Sequence, residues 1–350
     1  MAQYSFVAQN REGRELSDLS PMLRDREITM PLNRPATVNG TLNLESPRAS
    51  IEWLESGVHE LKVYRDGVAL ETVFRLVDVT VNAGIGGGTL SLTWESISTY
   101  LKDLVVPTST TPITDAQSDI AWYLIDTALA REGAGVYDIN RGAIPSVDPS
   151  KTVTYERRVD VLTAIERLAQ RQDGFDFAVD ADRNFNVYYP WRGQATDVVL
   201  NYPGSVISIS FNIATGPGRI ATDLTGVGVE GRQVTVENDD ARTKYGRRES
   251  FPVYSEVSDN TTLLQYATED LAVAKQPIIV PTISVSPSRV PYGQIELGDI
   301  VKLQAKLGAT NYMALDNWYR ITTIKINPSN EIGDEEISYE LNEARIVGVS

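Results

Sequence analysis

Apolar and polar residues alternate along much of the chain, and this alternation is typical of β-strands. In residues 207–213 every second side chain is apolar, and the side chains between them are Ser208, Ser210 and Asn212. Residues 26–32 show the same period, which places alternate side chains on opposite faces of a strand. Each segment therefore predicts a strand with one buried face and one polar face.

Two segments in the first hundred residues predict β-hairpins. Residues 60–64 and 68–76 flank Asp66-Gly67, and this dipeptide supplies the positive φ angles that a two-residue turn needs. A second pair of strands flanks a glycine-rich run at residues 83–88. Short strands with turns about every ten residues are typical of a small β-barrel or sandwich, and we expect one here.

The period changes to that of helices between residues 114 and 172. Residues 114–131 and 160–172 each carry an apolar stripe, and Thr114 with Gln117 fits a capping box at the start of the first helix. Two alternating segments follow before residue 190. This block predicts an α+β unit of about 90 residues, within the usual size of a domain.

The alternation typical of strands returns after residue 202. Further strands are predicted at residues 278–285, 300–303, 319–326 and 337–341, and a helix at 261–275. The chain is therefore predicted to be mainly β with α+β, in the order β, then α+β, then β again with one helix.

The composition excludes several classes of protein. Of the 350 residues 42% are apolar, which is enough for buried cores and too much for a disordered chain. The absence of cysteine excludes disulfide scaffolds, thiol nucleophiles and cysteine-held metal clusters. The single histidine, His59, cannot form a two-histidine metal site and is a poor basis for a histidine-relayed hydrolase.

The formal net charge is −15. A charge of this sign repels nucleic-acid phosphates and anionic lipids, so tight binding to either is not expected. It does fit a wall past which nucleic acid slides. Residues 1–10 lack the pattern of a signal peptide, and no apolar stretch approaches 18 residues, so we expect no membrane anchor.

Two motifs resemble ligand-binding loops but fit turns better. The run from Gly84 to Gly88 lacks the third glycine of a dinucleotide loop and the lysine of a phosphate loop, and a strand follows it instead of a helix. Residues 180–186 have the first spacings of a calcium loop, but Phe185 replaces its glycine and Trp191 its closing glutamate. We interpret both motifs as turns between strands.

Charged clusters give no catalytic assignment either. Asp239-Asp240 and the run at 334–336 lie in polar surroundings that are typical of solvated faces. One basic cluster consists of Arg242, Lys244, Arg247 and Arg248. We expect this cluster to face a neighbouring subunit or solvent, because it is too small to indicate nucleic-acid binding in an acidic chain. No catalytic, cofactor-binding or metal-binding residue is assigned, and the protein is predicted not to be an enzyme.

The order of these segments resembles the baseplate-hub, or tail-tip hub, minor tail proteins of long-tailed phages, especially the siphophage type that infects actinobacteria. Each motif alone is common, and the match depends on their order and spacing. The stretches that carry it are residues 53–67 with the strand that leads to 98–101, the helix 119–131, residues 161–169 with 174–177, and residues 245–249 with the helix to 275–277 and the turn at 297–301.

The resemblance implies two tube-like β-barrel domains separated by an α+β domain. The implied boundaries are a first barrel at residues 1–105, an α+β domain at 106–195, strands at 196–236 that return to the first barrel, and a second barrel with one helix at 237–350. In that family the hub is a homotrimer, so three subunits present six barrels in a ring that matches a sixfold tail tube to a threefold tip.

The resemblance also implies partners and a location. The partners are other copies of the chain, the distal tail protein, the tape measure protein and other tail-tip proteins. DNA passes through the lumen without specific binding, and no cofactor is implied. The location is the tail tip of the virion, after assembly in the host cytoplasm.

Two other functions stay open from the sequence. A β-rich chain with 5 Trp and 16 Tyr is compatible with a carbohydrate-binding tail adhesin. Its many carboxylates are compatible with a host cell-wall hydrolase that uses two of them as acid and base. A glycan array would separate the first from a hub, and a wall-clearing assay would separate the second.

Overall fold

The computed structural model describes residues 2–46, 49–50, 52, 54–85, 87–108, 111–131, 133–145, 148–155, 158–170, 174–213, 220–254, 257, 259–274, 279–308, 313–328 and 335–343. The first β region contains the strands β1 (Tyr4–Gln9), β2 (Glu15–Asp18), β3 (Arg24–Pro31), β4 (Thr37–Asn43), β5 (Glu60–Arg65), β6 (Val68–Ala69), β7 (Phe74–Gly84) and β8 (Gly87–Ser96).

The middle of the chain combines short strands with two helices. They are β9 (Ile113–Ala116), α1 (Gln117–Leu129), β10 (Asn140–Arg141), β11 (Ser150–Val153), α2 (Val161–Ala169), β12 (Asp176–Val179) and β13 (Asn184–Tyr188). The last part contains β14 (Ala195–Tyr202), β15 (Val206–Ile213), β16 (Asp223–Val227), β17 (Gln233–Glu237), α3 (Asp239–Tyr245), β18 (Glu249–Ser250), α4 (Asn260–Ala274), β19 (Ile279–Val285), β20 (Ile300–Leu307), β21 (Met313–Pro328) and β22 (Glu335–Glu343).

A 14-stranded sheet dominates the molecule. Its main path runs in the order β15-β19-β22-β21-β3-β4-β8-β7-β5-β1-β2, and β20 with β14 branches from β21. Every neighbouring pair from β15 to β7 is antiparallel. The mainly β class predicted from the sequence is confirmed. The sheet is continuous through both β regions, and its division into two barrels stays a prediction.

The run from β15 to β7 consists of two halves with the same topology. In the N-terminal half, formed by β3, β4, β7 and β8, the spatial order is first, second, fourth and third strand. The C-terminal half, formed by β15, β19, β21 and β22, has the same order in the same direction along the sheet. In each half the third strand begins by pairing with an additional strand, β5 or β20. The halves meet where β21 pairs with β3.

Alternation along these strands produces the main core. A row of buried side chains crosses the sheet at matched registers: Val285, Ile337, Ile326, Ile28, Val38, Trp94 and Leu76. Because successive side chains of a strand point to opposite faces, the positions beside this row point away from the core. One apolar cluster includes residues of both halves, so the two β regions share a core.

The α+β unit packs around a second apolar core, which also includes Val73, Ile97 and Tyr100 beside β7 and β8, and a buried ion pair attaches the unit to the sheet. Arg183, in the β12–β13 turn, places its Nη2 2.8 Å from both carboxylate oxygens of Glu60 in β5. The Tyr100 hydroxyl donates to the same carboxylate at 2.9 Å, and burial next to that carboxylate raises the pKa of Tyr100. The carboxylate is fully buried, and without these donors its charge would be buried unpaired at a large cost in stability.

Asp176 of β12 fixes the other side of the α+β unit. Its carboxylate accepts hydrogen bonds from the Asn33 side chain at 2.7 Å and from the Arg192 backbone N–H at 2.6 Å. The Arg320 guanidinium of β21 also donates to it. Because Asn33 lies between β3 and β4, Asp176 connects the α+β unit to both halves of the sheet.

A third, smaller unit is inserted between β15 and β19. It contains the three-stranded sheet β17-β16-β18, and Leu224 of this sheet packs against Ala267 and Leu271 of α4. The α4 helix was predicted within one residue of its bounds. The α3 helix lies in a polar segment for which the sequence pattern predicted no element.

Several other predictions can be compared directly with these elements. The tight turn is confirmed, with φ of 52° at Asp66 and 80° at Gly67. Of the strand predicted at 68–76, residues 68–69 form β6, residues 70–73 form a loop and residues 74–76 begin β7. β7 also includes the first of the two strands predicted beside the glycine-rich run, and it extends to Gly84 because β8 pairs with it that far.

Two further expectations differ from the structure. Thr114 lies in β9 and the α1 cap residue makes no side-chain bond, so the expected capping box is not formed. Instead Asp148 accepts a hydrogen bond from the Ser118 backbone N–H at 2.7 Å. Strands β14 and β15 pair with β20 and β19 of the C-terminal half, whereas the expectation placed residues 196–236 with the first β region.

The Glu60–Arg183 pair gives a test of this attachment. Glu60→Gln leaves the buried guanidinium without its counter-charge, and we expect a loss of about 3–5 kcal/mol in the free energy of unfolding. Asp66→Asn removes a partly exposed partner of Arg65 and should cost at most about 1 kcal/mol. Urea denaturation followed by far-UV circular dichroism measures both. Equal losses in the two variants would contradict the buried pair.

Candidate functional site

The side of the sheet opposite the core carries polar side chains, most of them short hydroxyl or amide groups. One row crosses both halves beside the buried row: Ser208, Ser284, Ser338, Lys325, Thr29, Thr37, Glu95 and Arg75. Parallel rows add Ser210, Thr282, Thr323, Glu340, Asn327, Glu336, Glu27, Asn39, Thr93, Asp78, Arg24, Thr41, Ser91, Thr80, Thr89 and Asn82. We call these side chains the polar face.

Hydroxyl and amide groups dominate the polar face, and carboxylates outnumber cations. The carboxylates are Glu27, Asp78, Glu95, Glu336 and Glu340, and the cations are Lys325, Arg75 and Arg24. Lys325 pairs with Glu27 at 2.7 Å, and Arg75 pairs with Asp103 at 2.6 Å. Neighbouring carboxylates therefore compensate both of these cations.

Cross-strand hydrogen bonds hold two of the carboxylates on the face. The Thr323 hydroxyl donates to Glu340 Oε2 at 2.9 Å, and the Ser284 hydroxyl donates to Glu336 Oε1 at 3.1 Å. Such a surface offers mostly oxygen acceptors and short hydroxyls, which do not hold a phosphate as a lysine or arginine does.

A polar cluster links the far end of the sheet to the C-terminal half. Arg65 of β5 places Nη2 2.5 Å from Glu335 Oε1 in β22, and Tyr4 donates to Glu335 Oε2 at 2.6 Å. The Arg65 guanidinium lies 4.4 Å from the centre of the Tyr292 ring. Burial and the Glu335 carboxylate raise the pKa of Tyr4, so its hydroxyl keeps its proton and remains a donor.

The two ligand-like motifs are turns in the structure. Gly84 pairs with Gly87 at the end of the β7–β8 hairpin, and Gly86 lies outside the described residues. Asp180 accepts hydrogen bonds from the backbone N–H groups of Asp182 and Asn184, at 3.0 and 2.8 Å. Its carboxylate therefore serves the β12–β13 turn.

The basic cluster is largely paired with acidic residues of its own unit. Arg242 donates to the carboxylate of Asp223, and lies 3.0 Å from Glu237 and 3.3 Å from Asp239. Arg247 lies 2.8 Å from Glu249. The hydrogen bond from Arg242 lowers the pKa of Asp223.

The other residues that the sequence analysis considered as functional, His59 and the described part of the acidic run at 334–336, do not lie together in one site. His59 is half-buried one residue before β5, and its Nδ1 accepts a hydrogen bond from the Glu55 backbone N–H at 3.0 Å. Glu335 belongs to the Arg65 cluster and Glu336 to the polar face, while Asp334 lies outside the described residues. Within the described ranges, no group of three or more acidic or histidine side chains is arranged to hold a metal ion. No described helix is long and apolar enough to span a membrane.

The sequence analysis predicted individual strands with a polar side but not the continuous polar face. The signal for it was present in the hydroxyl residues that alternate with apolar ones, as at Ser208 and Ser210. Which strands lie side by side depends on pairings between distant segments, such as β21 with β3, and alternation alone does not give them.

Comparison with solved structures shows which proteins share this fold. A prophage MuSo2 43 kDa tail protein from Shewanella oneidensis aligns with a TM-score of 0.68 and 14% identity, covering 98% of each chain. A tail protein from Neisseria meningitidis MC58 aligns at 0.63 and 15% identity, covering 97% of this chain and 96% of that one. The prophage tail protein gp18 from Listeria monocytogenes EGD-e aligns at 0.59 and 16% identity, covering 98% and 96%.

The chain therefore has the fold of phage tail proteins. No protein-family model and no curated protein matches the sequence. The coarse part of the resemblance, to phage tail proteins, is confirmed at the level of fold. These similarities of fold do not show the more specific resemblance, to the hub proteins of siphophages that infect actinobacteria.

The Asp223–Arg242 pair gives a pH-dependent prediction. A carboxyl whose pKa is lowered by folding stabilises the folded state above its unfolded pKa of about 3.9, and this contribution is lost as the pH falls through the folded pKa. Asp223→Asn should therefore lower the free energy of unfolding by about 1–3 kcal/mol at pH 7, with the difference from wild type shrinking below about pH 4.

Thermal denaturation between pH 3 and pH 7 measures this effect. Asp239→Asn is the matched control, because it removes another carboxylate partner of Arg242 whose side chain is 90% exposed. We expect almost no change from it. A constant difference between wild type and Asp223→Asn across the range would contradict the assignment.

Proposed function

We propose that this chain is a structural phage virion protein that forms the trimeric hub of the baseplate or tail tip. In this role it continues the channel of the tail tube, joins a sixfold tube to a threefold tip, and lets DNA pass during ejection. It acts without a catalytic site or cofactor. Its place is the tail tip of the virion, after assembly in the host cytoplasm.

The observation that carries the proposal is the repeated four-strand topology within one chain. The N-terminal and C-terminal halves have the same strand order and directions. Three copies would present six such units, so a single ring would match a sixfold neighbour on one side and threefold parts on the other. The fold shared with phage tail proteins supports the same role.

The dimensions of the sheet fit a channel. At about 4.8 Å between strands, three copies of the run from β15 to β7 would give a circumference of about 115 Å and a diameter of about 37 Å. Strand tilt widens a closed sheet further. Such a ring is wide enough for a DNA duplex.

The polar face supplies the inner wall in this proposal. A wall that neutralised many phosphates would release counterions and hold DNA tightly, which would stall ejection. The hydroxyls, amides and carboxylates of the polar face avoid this, and the pairing of Lys325 with Glu27 removes one exposed positive charge.

The α+β domain at 106–195 and the inserted unit that contains β17 and α4 would lie outside the channel. Residues 1–105 supply the first tube unit and residues 237–350 most of the second, and the pairing of β14 and β15 with β20 and β19 favours adding these two strands to the second unit. The distal tail protein, the tape measure protein and other tail-tip proteins are the proposed partners.

Imaging of an assembled tail tip tests the hub itself. We expect three copies of this chain in one ring, with six four-strand units around the channel and the polar face turned inward. The measurement is electron cryomicroscopy of intact tails. One copy, six copies, or a channel lined by lysine and arginine would contradict the proposal.

Lysine substitutions test the wall. Phage that carry Asn39→Lys with Ser91→Lys should release DNA several-fold more slowly, because the added cations bind passing phosphates, and the delay should shrink at higher salt. Gln233→Lys with Thr235→Lys adds the same charge on β17, outside the channel, and should leave the rate unchanged. Ejection is followed by DNA-dye fluorescence after receptor triggering. Equal rates in the two variants would place the polar face elsewhere.

A further inference from the structure

Within the described residues, the run from β15 to β7 ends in two strands with free edges. The loop at residues 56–59 bonds to Leu76 and Val77, and after Val77 the described contacts of β7 are on one side only, with β8, as far as Gly84. At the other end the described part of β15 forms a ladder only with β19. Both strands carry an apolar side chain in solvent, since Val81 is 57% and Ile207 61% exposed. Unpaired edges of this kind are templates for another strand.

The repeated topology indicates which strand each edge would meet. Inside the chain, the third strand of the C-terminal half, β21, pairs with the first strand of the N-terminal half, β3. The equivalent strands at the two free ends are β7, the third strand of the N-terminal half, and β15, the first strand of the C-terminal half. The occupant that fits the β7 edge is therefore β15 of a second copy.

Strand direction supports the same pairing. The strands alternate in direction across the run, so β7 and β15 point in opposite directions. Rotation about the channel axis leaves each strand's direction along that axis unchanged. The β15 strand of the next copy would therefore be antiparallel to β7, as β3 is to β21.

The β21–β3 junction also provides a register. The four residues of β21 that pair with β3 are 323–326, and they directly follow a bulge at residue 322. β7 has its bulge at residue 77, so its equivalent residues are 78–81, with Val79 and Val81 on the core side as Ile324 and Ile326 are. β3 contributes residues 28–31, just after a bulge that ends at Glu27, and the bulge of β15 ends at Ser208, so its equivalent residues are 209–212.

Resting on the hub proposed above, we infer that residues 78–81 of one copy pair antiparallel with residues 209–212 of the next. In this register Thr80 lies opposite Ser210, and Val81 lies opposite Ile209. The polar face then continues from one copy to the next, and Val81 is covered. The contact joins two different surfaces, so it forms a ring that closes when the third copy meets the first.

The absence of cysteine from the chain makes disulfide trapping a direct test. The full-length double variants Thr80→Cys/Ser210→Cys and Asn82→Cys/Ser210→Cys cover the proposed register and its nearest neighbour, in that order. On oxidation of the concentrated protein we expect covalent dimers and trimers and no larger species. Each single variant should give at least tenfold less product, because the contact joins unlike surfaces. Thr80→Cys/Thr235→Cys, with an exposed partner on β17, is the control pair.

Light scattering on the unmodified chain and on each variant separates the possible failures. Trimers without the specific cross-link would overturn the strand pairing and leave the hub intact. Cross-linked ladders longer than three would overturn ring closure. Neither trimers nor cross-links at high concentration would overturn both, because a disulfide traps even a weak association.

A charge at the edge gives an independent check. Val81→Lys in the Thr80→Cys/Ser210→Cys background should reduce the cross-linked product at least tenfold, because a lysine at an edge opposes strand addition. Val68→Lys, at a side chain that is 72% exposed on β6, is the matched control and should leave the yield unchanged. Equal yields with the two lysines would contradict the position of the contact.

Discussion

The short ladder between β21 and β3 is the contact on which the continuous sheet depends. It aligns Ile326 with Ile28, and this one register brings the buried rows of both halves into line. A shift by one residue would turn the apolar side chains of one half toward the polar face. The shared core, the continuous polar face and the equivalence of the halves all follow from this alignment.

Polar contacts at the periphery keep that alignment in place. Glu335 brings β22 to Tyr4 and Arg65 at the far end of the sheet, and Asp176 joins the α+β unit to both halves. Each carboxylate is nearly buried and accepts several hydrogen bonds, so a displaced strand would leave a buried charge without donors. These contacts add specificity, because an apolar core alone does not distinguish registers that differ by two residues.

Local signals in the sequence were sufficient for much of the fold. Alternation located most strands, Asp66-Gly67 located a turn, and the apolar stripe located α2 and α4. The cap of α1 was missed because Asp148 lies thirty residues away along the chain. The polar face and the repeated topology were missed for a related reason. They depend on which distant strands are neighbours, and alternation reports only which face of a single strand is buried.

The two halves differ in what interrupts them. In the N-terminal half β3 is joined to β4 by a short turn that holds Asn33, whereas in the C-terminal half the unit with α3 and α4 separates β15 from β19. The C-terminal half of each copy therefore carries an inserted unit that the N-terminal half lacks. In a ring of three copies, halves with and without this unit would alternate around the rim. A neighbouring protein that binds α4 would then find three sites, whereas one that contacts only the strands would find six equivalent sites.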